Sequence, residues 1–198
     1  MSEKFKTIQK SSEGIYKEKG SKFFAFAIPV SDVDKVKEIL EKFRTEYRDA
    51  RHICYAYMIG EKRNNYRTND DGEPSGTAGK PILGQINSWV LTNILIVVVR
   101  YFGGVLLGTG GLTTAYKQAA ADAIRNCEII EKTIEIPLSI RFPYELTSEV
   151  SRIIKENNLK ISKQKFETEC DISFTIGKDI FETVKSKFEN IYGLKITE

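Results

Sequence analysis

The spacing of apolar residues changes several times along the chain, and each change marks an element. KFFAFAIPV (22–30) is a dense aromatic and aliphatic run that ends beside Pro29, which predicts a strand entering a turn. From 32 to 47 the spacing lengthens. Val33, Val36, Ile39, Leu40, Phe43 and Tyr47 then fall on one face of an amphipathic helix, with Ser31 as N-cap and Asp34 as the partner acid. HICYAYMIG (52–60) returns to strand character, and the polar EKRNNYRTND (61–70) reads as its hairpin partner with a basic exposed face. Ile82, Leu83, Ile86, Trp89 and Val90 recur at helical spacing, with Pro81 at the first helical position. ILIVVVR (94–100) is apolar on both faces, the pattern of a central strand covered on two sides. TTAYKQAAADAIRN (113–126) is an alanine-rich helix, suited to close packing.

Near residue 131 the pattern shifts. TIEIPLSIRF (133–142) alternates strictly, so Ile134, Ile136, Leu138, Ile140 and Phe142 share one face, and Pro137 suits an edge position. A helix (147–157), a hairpin (159–167 and 169–176) and a helix (179–190) follow. In the last helix Asp179 and Glu182 make a capping-box pattern, and Ile180, Val184 and Phe188 form one stripe. The order β-α-β-β-α predicts a small ferredoxin-like α+β sandwich. The expected class is therefore α+β in two domains, 1–130 and 131–198.

Composition narrows the setting. A chain of 198 residues with 41% hydrophobic and 29% charged residues is an ordinary globular protein. ILIVVV (94–99) is far shorter than the ~20 residues a membrane helix needs, and MSEKFKTIQK lacks a signal-peptide core, so a cytoplasmic protein without membrane contact is expected. Cys54, Cys127 and Cys170 are odd in number and lack metal-site spacing, so neither a disulfide framework nor a metal site is indicated. The net charge is +3. Residues 1–130 hold 19 basic against 15 acidic groups (+4), and 131–198 hold 11 against 12 (−1), which directs any polyanion to the N-terminal part.

Two glycine-rich stretches carry the candidate chemistry. The first, DDGEPSGTAGKP (70–81), holds Asp70, Asp71, Gly72, Glu73, Pro74, Ser75, Gly76, Thr77, Gly79 and Pro81; the second, YFGGVLLGTGGL (101–112), holds Gly103, Gly104, Gly108, Gly110 and Gly111. Neither is a nucleotide signature. A Walker A loop ending at Gly79-Lys80 needs Gly at 74 and Ser or Thr at 81, and both are proline. Gly108, Gly110 and Thr113 likewise fail the dinucleotide fingerprint at its third glycine. Both stretches still run into helices, so each offers free backbone N–H groups to an anion, with Lys80 adding charge to the first. The alternative is that the glycines serve only turns and close packing.

Asp70, Asp71 and Glu73 are either an acid/base cluster or a solvated acidic turn. His52 and Cys54 point to the same face of a strand, yet a catalytic pair needs an orienting group that sequence does not display. Arg48, Arg51, Lys62, Arg63, Tyr66 and Arg67, with Tyr55 and Tyr57 between them, have the composition of a single-stranded nucleic-acid surface or of an ordinary solvated face.

KGSKF (19–23), HICYAY (52–57), DDGEPSGTAGKPIL (70–83), VVRYFGGVLLGTGGL (98–112) and Ala115-Tyr116 resemble, in order and spacing, the IMPACT/YigZ family of bacterial proteins and eukaryotic translation regulators. The resemblance covers about residues 1–130, and 131–198 are similar to the small C-terminal domain of its bacterial branch. It implies a first domain like the second domain of a small-subunit ribosomal protein, and a second like the last domain of elongation factor G. For eukaryotic members the resemblance implies protein–protein competition that relieves activation of a kinase phosphorylating an initiation factor, a role that the bacterial form does not imply. The combined expectation is a non-catalytic factor that binds RNA or the ribosome, and possible partner proteins of translation, without metal or cofactor. Lys22, Arg51, Arg63, Arg67, Lys80 and Arg100 would meet phosphates, with 70–81 and 103–111 as the partner-facing surface. An enzyme acting on a small phosphorylated substrate is the alternative, with Lys80 supplying charge and Asp71 or Glu73 as base; a pure protein-interaction module is a third reading.

Overall fold

The structure, a computed structural model, describes residues 4–197. The chain forms two compact units, Phe5–Lys132 and a second that runs from Thr133 and takes in Lys4, so the strands Lys4–Ile8 and Ile129–Thr133 each extend one residue past the first. In chain order the first holds β1 (Lys4–Ile8), β2 (Ser12–Glu18), β3 (Ser21–Pro29), α1 (Val33–Glu46), β4 (His52–Ile59) and β5 (Asn65–Asn69). It continues through α2 (Gly79–Ser88), β6 (Ile94–Tyr101), α3 (Gly108–Arg125) and β7 (Ile129–Thr133).

Five strands make one antiparallel sheet in the order β2-β3-β6-β4-β5, and β1 pairs separately with β7. β6 is central, as its unbroken apolar run predicts, and residues 94–100 are all buried. Strand alternation sends Phe23, Ala25, Cys54 and Val98 toward α2 and α3, and Tyr55, Tyr57, Val97 and Val99 toward α1. Each large apolar side chain removed from water contributes about 1.5–3 kcal/mol, so the two-sided strand anchors both layers.

In α3 the alanines do what their size allows. Ala115, Ala119, Ala120 and Ala123 are fully buried, and the helix lies so close to β2 that a Cβ built on Gly14 meets the Ala123 nitrogen at 2.2 Å. α3 begins at Gly108, five residues before the alanine-rich segment, because the glycines 108, 110 and 111 join its first turn.

The second unit runs β8 (Glu135–Pro143), α4 (Thr147–Glu156), β9 (Lys160–Phe166), β10 (Glu169–Gly177), α5 (Phe181–Glu189) and β11 (Lys195–Thr197). The sheet order β11-β8-β10-β9 with this connectivity is the ferredoxin-like split βαβ. Ile140, Phe142 and Phe174 face Val150, Val184 and Phe188, so the alternation in β8 reads correctly. β11, only three residues long, shows no pattern in sequence. The edge position expected for Pro137 is corrected: β8 lies between β11 and β10, and Pro137 pairs with Thr175 of β10 while, among the described residues, β11 reaches only Ser139–Arg141.

Three cap expectations are corrected. Asp32, not Ser31, caps α1 by accepting the Lys35 N–H at 2.8 Å. Pro81 is the third residue of α2 rather than the first, which is tolerated because no N–H in the first turn has an intrahelical partner. The Asp179–Glu182 box does not form: α5 starts at Phe181 after Ile180, with no side-chain cap.

Gly14→Ala forces backbone apart and should lower stability by about 2–3 kcal/mol. A urea melt of this variant should show an earlier midpoint at unchanged slope.

Candidate functional site

The segment between β5 and α2 is wound around one carboxylate. Glu73 N–H donates to the Asp70 carbonyl at 2.9 Å, closing a turn whose central residues, Asp71 (φ +44°) and Gly72 (φ +84°), both take left-handed backbone. Asp-Gly is the pair that tolerates this turn. The Asp70 side chain then accepts three backbone N–H groups: Gly76 at 2.8 Å, Ala78 at 3.0 Å and Gly79 at 2.8 Å. Burial works against this charge, but the three donors and nearby Lys80 outweigh it and hold the carboxyl below its ordinary pKa. The first anion site expected from sequence is therefore already filled from within. Helix α2 begins on its own acid.

Asp71 is engaged as well. Its Oδ2 accepts the Ile53 N–H at 2.6 Å, and its own N–H donates to Asn69 Oδ1 at 2.7 Å. The turn carries Glu73 inward, where its side chain is only 3% exposed. Glu73 Oε1 accepts Arg100 Nη1 at 2.6 Å and the Tyr116 hydroxyl at 2.8 Å. Arg100 lies between the rings of Phe23 and Phe102, 5.4 and 5.7 Å from their centroids. Phe23, Arg100 and His52 are a cross-strand row over β3, β6 and β4. His52 Nδ1 lies 2.7 Å from the Asp71 carbonyl; a carbonyl only accepts, so Nδ1 carries the proton and Nε2 faces Glu73 Oε1 at 3.9 Å. Cys54 sits beneath, 3.3 Å from the Tyr116 hydroxyl. Burial pushes the Cys54 thiol up, and burial followed by the Cys54 and Glu73 neighbours raises Tyr116, so both stay protonated. Cys54 is a packing residue with a polar contact, not an activated nucleophile.

This network is the floor of a cleft of about 430 Å³. Arg51, His52, Glu73, Arg100, Phe102 and Leu106 line it, and the first turn of α3 closes one side through Gly108 and Thr109. Among the described residues no side chain caps α3. Its N-terminus, unlike that of α2, opens into the cleft.

The six expected phosphate-binding cations do not share one surface. Arg51 is exposed at the cleft, whereas Arg100 is buried in the ion pair. Arg63 is tied to the end of α2, donating Nε to the Leu91 carbonyl at 3.2 Å and Nη2 to Asn87 at 2.7 Å. Lys80 is exposed on α2. Lys22 pairs in register with Tyr101, and Arg67 with Tyr57, which puts both on the α1 face of the sheet. Tyr55 and Tyr57 are buried in that layer and cannot stack on a base, whereas Tyr66 is exposed. Of the second glycine stretch, Gly103 donates its N–H to Ser21 Oγ at 3.1 Å, Gly104 takes left-handed backbone (φ +87°), and Gly110 and Gly111 lie in the first turn of α3. Tyr116 escaped the candidate set from sequence: one aromatic in an alanine-rich helix signals core packing, and nothing in its spacing points to Glu73. Among the described residues no group of three or more His, Cys, Asp or Glu is placed to hold a metal ion.

Asp70→Asn should cost about 2 kcal/mol at neutral pH, since charged acceptors make the stronger bonds. The folded pKa is depressed, so the wild-type advantage is present above the ordinary carboxylate value of about 4 and disappears as pH falls through the folded value. Urea melts at several pH values measure it. Glu73→Ala leaves Arg100 buried without a counter-charge and should cost about 3–5 kcal/mol in the same assay.

The segment 19–124 matches the Impact N-terminal domain family model. The chain is 36% identical over 145 residues to the IMPACT family member YigZ of Escherichia coli, covering 72% of this chain and 71% of that protein. It is 30% identical over 157 residues to the IMPACT family member YvyE of Bacillus subtilis, covering 79% and 72%. A crystal structure titled as that of an hypothetical protein superposes with a TM-score of 0.78 at 28% identity, over 99% of this chain and 97% of the other. Matched by the family model over more than half its length and by these relatives over most of theirs, the chain belongs to the IMPACT family.

Proposed function

We propose that this protein is a non-catalytic factor of the cytoplasm that modulates translation by binding RNA, free or in the ribosome, through the unit Phe5–Lys132. The observation that carries the reading is the asymmetry of the two helix starts. Asp70 fills the N-terminus of α2, while that of α3 is uncapped and opens beside exposed Arg51. Free N–H groups, the helix dipole and a guanidinium together favour a phosphate. Membership of a family whose eukaryotic branch regulates translation supports the setting, and the net +4 of residues 1–130 supports the sign of the partner.

Against the enzyme alternative stand the internal hydrogen bonds of its two candidate bases, one to Asp71 Oδ2 and two to Glu73 Oε1. One observation still favours it: His52 presents Nε2 toward the cleft with Nδ1 held by a carbonyl.

Fluorescence anisotropy of a labelled single-stranded RNA, read at low and moderate salt, tests the proposal. Binding should weaken as salt rises, and Arg51→Glu should lower affinity about tenfold and reduce the salt slope. Absence of binding by the wild type at both salts overturns it.

A further inference from the structure

The cleft carries the wrong charge for the middle of a nucleic-acid strand. A track for an internal backbone needs cations in succession, and those of this unit are divided between the two faces of the sheet. Lys22 and Arg67 belong to the α1 face, while the cleft is on the other. At the cleft, Arg100 is neutralised by Glu73. What remains is Arg51, one unit of charge, and the start of α3, worth roughly half a unit. That sum of about 1.5 matches a phosphate monoester, which carries about −1.5 to −2 at pH 7. A backbone diester carries only a single charge.

A second observation points the same way. Arg100, nine-tenths buried and lining the cleft, has its Nε without a hydrogen-bond partner among the described residues. A buried donor left unpaired costs about 1–3 kcal/mol, so such a group is usually completed by something. The mouth of the cleft adds an apolar platform: Phe102 is half exposed and Leu106 is 83% exposed. A planar base can rest against Phe102 while its phosphate lies by α3.

We propose that the cleft binds a nucleotide through a terminal phosphate monoester, either as a free nucleoside monophosphate or as the phosphorylated end of an RNA strand. The phosphate sits between the N–H groups of the α3 first turn and Arg51, with its face toward Arg100. The inference rests on the RNA reading above and names the part of the RNA that this site takes.

The test uses the full chain and one labelled RNA decamer made in three forms: with a 5′-phosphate, with a 3′-phosphate, and with hydroxyls at both ends. Adenosine monophosphate and inorganic phosphate serve as competitors. At least one phosphorylated form should bind ten times more tightly than the hydroxyl form, and adenosine monophosphate should compete better than inorganic phosphate. Thr109→Asp puts a carboxylate on the exposed first turn of α3, where an acid favours the helix. This variant should keep its thermal midpoint and lose the end preference.

Equal binding of all three decamers overturns the terminal-phosphate inference and leaves the RNA reading standing. If no decamer binds but adenosine monophosphate does, the RNA reading falls and the free nucleotide is the ligand. If nothing binds, both fall. Retention of the end preference by Thr109→Asp also overturns the assignment to α3.

Discussion

The buried pair between Glu73 and Arg100 holds this site together. Arg100 comes from the central strand, Glu73 from the loop before α2, and Tyr116 from α3 closes the trio on the same carboxylate oxygen. A buried ion pair is a poor source of net stability, because desolvation offsets most of the attraction. Its effect here is on position. Removing either charge would strand the other in the core, so the loop, the strand and the helix are obliged to meet at one place. The cleft exists because they meet there.

Around that pair the acids of the loop have divided their labour by distance from solvent. Asp70 turns back on its own chain and satisfies the start of α2. Asp71 reaches β4 through the Ile53 N–H, and its carbonyl fixes the tautomer of His52. Glu73 goes deepest and meets the guanidinium. All three accept hydrogen bonds from within the unit. The same economy explains the contrast between the helix starts, since Asp70 has taken the α2 site and no acid among the described residues has taken that of α3.

The two units read with different clarity in the chain itself. The alternation of β8 and the apolar run of β6 are direct imprints of burial, on one face and on both. Those patterns were legible because burial acts on each position separately. The caps were harder. Asp32 displaced its neighbour Ser31, and the Asp179 box never formed, because a cap depends on the exact backbone entry angle of the chain. β11 was missed because three residues are too few to show a period.

The α+β character, the helices α1 to α5, the strands β3 to β6 and β8 to β10, and the family motifs follow from local spacing and residue type, and the sequence alone determined them; β1, β2 and β7 carried no reading in it. The site did not follow. Residues 52, 73, 100 and 116 are widely separated in the chain, and their meeting depends on strand register and on where α3 packs. The charges show the same limit. A sequence lists Lys22, Arg63, Arg67 and Arg100 as one basic set, but strand alternation puts two of them on the α1 face, ties one to a helix end and buries the last. Local pattern reports whether a side chain is buried; only the tertiary structure decides what it is buried against.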